Sequence, residues 1–270
     1  MVGRIAVVTG AGNGLGRAIS IALDAAGATV VLAGRDVGNL ETTASLLAGE
    51  SFVAPVDVAD PGSVTAMHDR VSSWVAARAR RPGEPSAEDG STSSAVTILV
   101  NNAGVAGPVA ALTDVTPAEW DDVFAVNVRG TYLMCQAFIP AMAEGRTGDI
   151  VNLASVSGKR PLVGRTPYTA SKMAVIGLTT TLAHEVGPLG IKVNTLSPGP
   201  VEGPRMQRNF TREAVRTGLP EEEVRREFVL RAAMQRMVTE QEVAEAVLSI
   251  VRLGGLTGAD IDLSAGMVAR

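Results

Sequence analysis

RIAVVTGAGNGLGRAISIAL, residues 4–23, passes from a β-branched run through four alternating glycines into a stretch with helical apolar spacing. The run Ile5 to Thr9 reads as a strand, and the glycines let the backbone turn sharply at its end. They also let the chain come close to a pyrophosphate at the N-terminus of the helix that follows. A tight strand-to-helix turn with no ligand is the plainer reading of such a loop. No Gly-Lys-Ser/Thr follows a glycine-rich loop anywhere, which excludes the P-loop class.

Outward from this unit the same rhythm repeats. Short β-branched runs near residues 5–9, 29–33, 51–56, 97–100, 149–153, 192–196 and 260–263 alternate with longer Ala-rich stretches. That is the pattern of βαβ units and a parallel sheet covered by helices on both faces. Thr116-Pro117 and Asp60-Pro61 mark helix starts, a capping side chain preceding a proline at the first helical position. The expectation is one doubly wound α/β domain of the Rossmann type over residues 1–270, with a seven-stranded, mostly parallel sheet in order 3-2-1-4-5-6-7. Two segments break the rhythm. Residues 81–94, RPGEPSAEDGSTSS, have too little apolar surface to order themselves and read as an exposed loop. Residues 201–238 are too long for a simple crossover and read as a lid, with Phe210, Leu219, Phe228, Leu230, Met234 and Met237 available to line a pocket.

With 46% hydrophobic residues in 270, the chain can bury one sizeable core. A net charge of −4 lacks the basic excess that a nucleic-acid partner requires. One cysteine, Cys135, and two histidines, His68 and His184, are too few for a zinc cluster, so no metal is expected. Cys135 reads as a small core residue and the histidines as surface or packing residues. With no apolar run long enough to span a membrane and no signal peptide, a reduced cytoplasmic setting is expected.

The sharpest chemical signal is Tyr168-Thr-Ala-Ser-Lys172, in a chain with only two tyrosines. On a helix, positions i and i+4 share a face, which sets the ammonium beside the phenol. A neighbouring positive charge favours the phenolate, and so makes a general acid and base usable near neutrality. Ser155 lies at the end of the fifth strand, Asn101-Asn-Ala-Gly104 ends the fourth, and Pro198-Gly199 ends the sixth. All would share the rim where parallel sheets bind ligands.

These motifs together resemble the classical short-chain dehydrogenase/reductase family over nearly the whole chain. The resemblance rests on Thr9 to Gly16, Asn101 to Gly104, Asn127 within Val-Asn-Val, Ser155, Tyr168 to Lys172 and Pro198-Gly199. It implies NAD(P)-dependent hydride transfer between the cofactor and a small-molecule ketone or secondary alcohol. Tyr168 would give or take the proton, and Lys172 would favour its phenolate and bind the nicotinamide ribose. Ser155 would hold the substrate oxygen, and Asn127 would anchor a proton-relay water. Asp57 resembles the adenine-contacting aspartate. Gly10, Asn13, Gly14, Leu15, Gly16, Arg35, Val58, Asn101, Ala103, Gly104, Pro198, Gly199 and Val201 complete the implied cofactor contacts, with Tyr168 and Lys172.

Departures from the family pattern are equally informative. Gly203 stands where the family usually has a cofactor-binding threonine, and residues 81–94 resemble an insertion. NAD-selective members tend to carry an acid where Gly34 stands, and Arg35 could pair with a 2′-phosphate. Asp36 could instead reach the ribose, and Asn13 replaces a basic residue common in NADP users. The balance favours NADP over NAD. Lys159, Arg160 and Arg165 could face substrate or water, and the arginines after Pro198 could attract an anionic substrate or pair with nearby glutamates.

Family members are typically homotetramers built on two helices. Here those would be the helix from Pro117, with Val123, Phe124, Val126, Met134 and Phe138, and the one near Tyr168, with Val175, Ile176, Leu178 and Leu182. A homotetramer or homodimer is expected. Two other readings stay open: a nucleotide-sensing or partner-binding protein of the same fold, and a sugar-nucleotide epimerase or dehydratase sharing the tyrosine and lysine. Asn13 at the middle glycine position of the epimerase pattern weighs against the latter.

Overall fold

The computed structural model describes residues 1–80 and 95–268, so the expected exposed loop at 81–94 lies outside the described residues. Among the described residues the strands are β1 (Ile5–Thr9), β2 (Thr29–Gly34), β3 (Ser51–Pro55), β4 (Val96–Asn101), β5 (Gly148–Leu153), β6 (Ile191–Pro198) and β7 (Asp260–Leu263). They form a seven-stranded sheet in order β3-β2-β1-β4-β5-β6-β7. Every pairing is parallel. This is the expected architecture and order.

Strand alternation divides the core into two layers. Ile5 and Val7 of β1 face a layer built from α3 (Pro61–Arg78), α5 (Gly130–Glu144) and α6 (Thr166–Val186), where Met67, Val71, Met134 and Phe138 are buried. Ala6 and Val8 face the opposite layer, built from α1 (Gly14–Ala25), α2 (Val37–Ala44) and α9 (Glu240–Arg252), where Ile19, Leu40, Val243 and Val247 are buried. Strands covered on both faces read as nearly continuous apolar runs, which is why they were legible.

Helix starts follow capping chemistry. Asp60 accepts from the backbone N–H groups of Gly62 and Ser63 ahead of α3. Thr116 and Glu119 form a reciprocal capping box at α4 (Pro117–Phe124). Between α4 and α5, residues Ala125–Arg129 form a π-helical turn. Gly130 then passes so close to the strand-end segment that a Cβ on it would lie 2.8 Å from Val58 Cγ2.

The 201–238 segment contains α7 (Pro204–Thr217) and α8 (Glu221–Val229). Its ends are joined by a parallel bridge between Val201 and Val238, and Glu202 N–H donates to the Val238 carbonyl at 2.8 Å.

Candidate active site

Asn127 sits inside the π-helical turn, 1% exposed. A π turn re-aims a side chain that a regular helix would point elsewhere. Its Nδ2 donates to the Val105 carbonyl and to Ser171 Oγ, both at 3.0 Å, and its Oδ1 accepts from Val105 N–H at 2.8 Å. Ser171 Oγ in turn donates to the Tyr168 carbonyl at 2.7 Å. The amide therefore locks the loop after β4 to the first turn of α6.

On that helix Lys172 is buried, and its Nζ lies 5.9 Å from the centroid of the Tyr168 ring. The i, i+4 spacing delivers the expected pairing. Lys172 Nζ also donates to the Leu153 carbonyl at the end of β5, at 2.8 Å. Ser155 lies two residues beyond β5, where its Oγ accepts from Ser157 N–H at 3.1 Å. Among the described residues no acceptor takes the Ser155 hydroxyl proton, which leaves it for an oxygen entering the site.

Gly104 joins these parts. A Cβ there would stand 3.2 Å from Asn127 Oδ1 and 3.4 Å from Lys172 Nζ, so glycine keeps open a gap that both side chains border. Gly10 (φ +66°) and Gly14 (φ +50°) adopt left-handed backbone, and a Cβ on Gly16 would fall 2.1 Å from the Gly10 carbonyl oxygen. Only glycine tolerates this combination of hand and closeness. The loop is held from the side by Asn102, whose Nδ2 donates to the Thr9 carbonyl at 2.8 Å. Thr9 Oγ1 accepts from the N–H groups of Asn102 and Ala103 at 3.0 and 2.9 Å. The sequence reading missed the roles of Thr9 and Asn102; their signal was the doubled asparagine opposite a strand-ending threonine. The glycine turn at Gly10 to Gly16, leading into an uncapped helix start with no acid in its first turn, fits the pyrophosphate of a nicotinamide dinucleotide. Asn13, Leu15, Val58, Asn101, Ala103, Pro198, Gly199 and Val201 stand along the same strand ends.

Other expectations resolve individually. Arg35 is exposed at the end of β2. Asp36 Oδ1 instead caps α2, accepting from Asn39 N–H at 2.9 Å. Asp57 Oδ1 accepts from Ala59 N–H at 3.0 Å, which stiffens the turn after β3. Gly203 has φ +145°, so a threonine hydroxyl there would require strained backbone. Cys135 is buried, accepts from Asn101 Nδ2 at 3.3 Å, and burial pushes its thiol up to about 12. It is a core residue, as expected. His184 is exposed, and His68 packs edge-on against Phe138.

Lys159 turns inward, away from water. Its side chain is 3% exposed and pairs with Asp260 at 2.7 Å and with Asp262, both on β7. Arg165 Nη1 donates to the carbonyls of Ala106 and Gly107 at 3.4 Å.

The 201–238 segment differs from expectation in how it uses its apolar residues. Phe210 and Met237 are buried with Val224 in a small core of the segment's own, with Phe228 packed against it. Two amphipathic helices side by side satisfy each other's apolar faces before any pocket does. Leu219, Leu230 and Met234 are exposed. Of the arginines, Arg226 pairs with Glu223 at 3.9 Å, whereas Arg231 lies over the Phe228 ring. The expected association helices are also partly consumed: Val123, Met134, Phe138 and Val175 are buried within the protomer, while Tyr132 and Met173 are exposed.

Among the described residues no cluster of three or more metal-ligating side chains occurs, and no helix is long and apolar enough to cross a membrane.

Comparison with known proteins agrees with this geometry. Residues 4–77 and 88–214 match the short chain dehydrogenase family. A (3R)-3-hydroxyacyl-CoA dehydrogenase of Mus musculus is 35% identical over 266 residues, covering 97% of this chain and 95% of that protein. Among solved structures, a ribose-5-phosphate isomerase from Brucella melitensis 16M is 36% identical with a TM-score of 0.83, covering 99% of this chain and 93% of that one. An NAD+-bound xylitol dehydrogenase is 25% identical with a TM-score of 0.85, covering 98% and 99%. The chain belongs to the short chain dehydrogenase family and is an oxidoreductase that works with a nicotinamide cofactor on a carbonyl or alcohol substrate.

Proposed function

We propose that this chain catalyses reversible reduction of a small ketone with NADP in preference to NAD, using Tyr168 as general acid and base. The observation that carries the reading is the convergence of Asn127 and Lys172 on the gap at Gly104, with Tyr168 tied to Asn127 through Ser171. When bound, the nicotinamide supplies or takes up the hydride. In reduction Ser155 donates its hydroxyl proton as a hydrogen bond to the substrate carbonyl oxygen, and so stabilises charge developing there. Tyr168 transfers its phenolic proton to that oxygen as the carbon gains hydride, which completes the alcohol. Lys172 holds the ribose and stabilises the phenolate left behind. Asn127 anchors a water that, by way of Lys172, replaces that proton.

Cofactor choice follows from two side chains. Asp36 is committed to capping α2, which weakens the case for a carboxylate on the ribose hydroxyls. Exposed Arg35 is free of that commitment and suits a 2′-phosphate. The protein works as a cytoplasmic homotetramer or homodimer, through the faces of α4, α5 and α6 that retain Tyr132 and Met173 outside.

The name of the Brucella relative favours one competing reading, an isomerase that recycles its nicotinamide within each turnover. Replacing Tyr168 by Phe keeps the ring and removes the proton. Turnover of a ketone and alcohol panel should fall by about 10²-fold to 10⁴-fold with cofactor affinity retained. Cofactor oxidised stoichiometrically with ketone consumed supports reduction. Product formed with no net change of cofactor supports the isomerase, and undiminished turnover in Tyr168→Phe overturns the assignment.

A further inference from the structure

Glu240 opens α9. Its Oε1 stands 3.4 Å from where a Cβ on Gly203 would lie and 3.6 Å from where one on Gly14 would lie. The carboxylate thus stands beside both the start of α1 and the turn after Pro198-Gly199, two backbone segments that would border a bound dinucleotide. No hydrogen bond or ion pair engages it among the described residues. Arg236, the guanidinium nearest in sequence on the N-terminal side, is committed to Glu242 at 2.6 Å. Glu240 is not needed as a cap either, because Thr239 and Glu242 already form the capping box of α9.

The start of α1 is the electrostatic counterpart. Asn13 makes no side-chain capping bond there, and the first turn of α1 contains no acid. Its free N–H groups and dipole favour an anion. Glu240 is the anion the chain itself brings to that place, and a pyrophosphate brings a second one.

We propose that Glu240 sets cofactor affinity, acting as a built-in anion that weakens dinucleotide binding at the pyrophosphate and hastens its release. The inference rests on the placement of the cofactor along Gly10 to Gly16. Gly203 contributes to the arrangement, because a side chain there would meet the carboxylate.

Binding of NAD, NADP and adenosine by titration calorimetry, without substrate, tests this in the wild type, Glu240→Gln and Glu240→Ala. Removing one like charge beside the glycine-rich loop should tighten both dinucleotides by about three-fold to ten-fold. Adenosine, which has no phosphate, should bind the three proteins alike. The advantage of the variants should shrink as salt screens the wild-type repulsion. Unchanged or weaker dinucleotide binding in both variants overturns the proposal. So does equal tightening of adenosine, which would mark a packing effect. If none of the proteins binds either dinucleotide, the cofactor reading fails and the inference falls with it.

Discussion

Two regions border the rim at the carboxyl ends of the strands, and they are built in opposite ways. Asn127 and Lys172 are set into the main body by bonds that cross from one element to another, and they border Tyr168 on α6. Asn127 joins the loop after β4 to α6, and Lys172 joins α6 to the end of β5. The 201–238 segment has its own small core around Phe210, Val224 and Met237. It is fastened at its base, where Val201 meets Val238 and Met234 N–H donates to the Ala265 carbonyl at 3.0 Å. The first arrangement suits groups that must hold a reacting geometry closely. The second suits a unit that moves as a body about paired ends and admits, covers and releases ligands.

The largest expected effect comes from breaking the rigid region. Asn127→Leu leaves the Val105 N–H and carbonyl without their side-chain partner and removes the bond that Ser171 Oγ accepts. We expect turnover to fall at least about 10²-fold. Whole-protein stability should fall by roughly 2–4 kcal/mol, as read by denaturant unfolding. Near-normal turnover in a folded Asn127→Leu protein would show that the lock at the π turn is dispensable, and would remove the contrast.

A smaller and differently distributed effect is expected from Phe210→Ala. Emptying the segment's core costs about 3–5 kcal/mol at that place. Because that core is separate from the two sheet layers, the loss should show as faster amide exchange across α7 and α8 and a raised KM. The main unfolding transition should hardly move. In the unmodified protein these two helices should exchange fast when free and slow when cofactor and a substrate analogue are added. Equal, strong protection in both states would make the segment a fixed wall. A main transition lowered as far as in Asn127→Leu would make it part of one cooperative unit.

The two regions were also unequally legible. The strands were readable because burial on both faces left apolar runs, and the candidate site was readable because Tyr168 and Lys172 fall one helical turn apart. The π turn was not, since Val126, Asn127 and Val128 suit a regular helix equally well. Its one trace was Gly130, which must pass against Val58. Lys159 was undecidable because its partners Asp260 and Asp262 are about a hundred positions away, joined only by the β6 to β7 pairing. The apolar residues of 201–238 were visible, but amphipathic spacing says that a face is covered without saying by what. Thr239-Glu-Gln-Glu242 was a capping-box signature that could have been read directly.

The smallest expected effect concerns the base of the 201–238 segment. Arg236 donates to both Glu242 oxygens, at 2.8 and 2.6 Å, and Thr239 N–H adds a bond at 2.8 Å. The guanidinium first, and the backbone N–H after it, hold the Glu242 carboxyl down at about 2 against an ordinary value of 4.5. Between those two values an unfolded chain takes up a proton here that the folded one refuses. Stability from this contact is therefore complete above about pH 5 and is lost as the pH falls toward 2. Both side chains are about a third exposed or more, at 40% and 32%, so solvent screens the pair and the loss is modest. Since Arg236 also donates to the Met237 carbonyl at 3.0 Å, that loss should loosen the base of 201–238 before the sheet. Amide exchange from pH 6 to 3, corrected for intrinsic rates, should show α7 and α8 losing protection first in the wild type. Glu242→Gln should start less protected and change less across the same range. Identical pH profiles for the two proteins would mean that this contact does not anchor the segment.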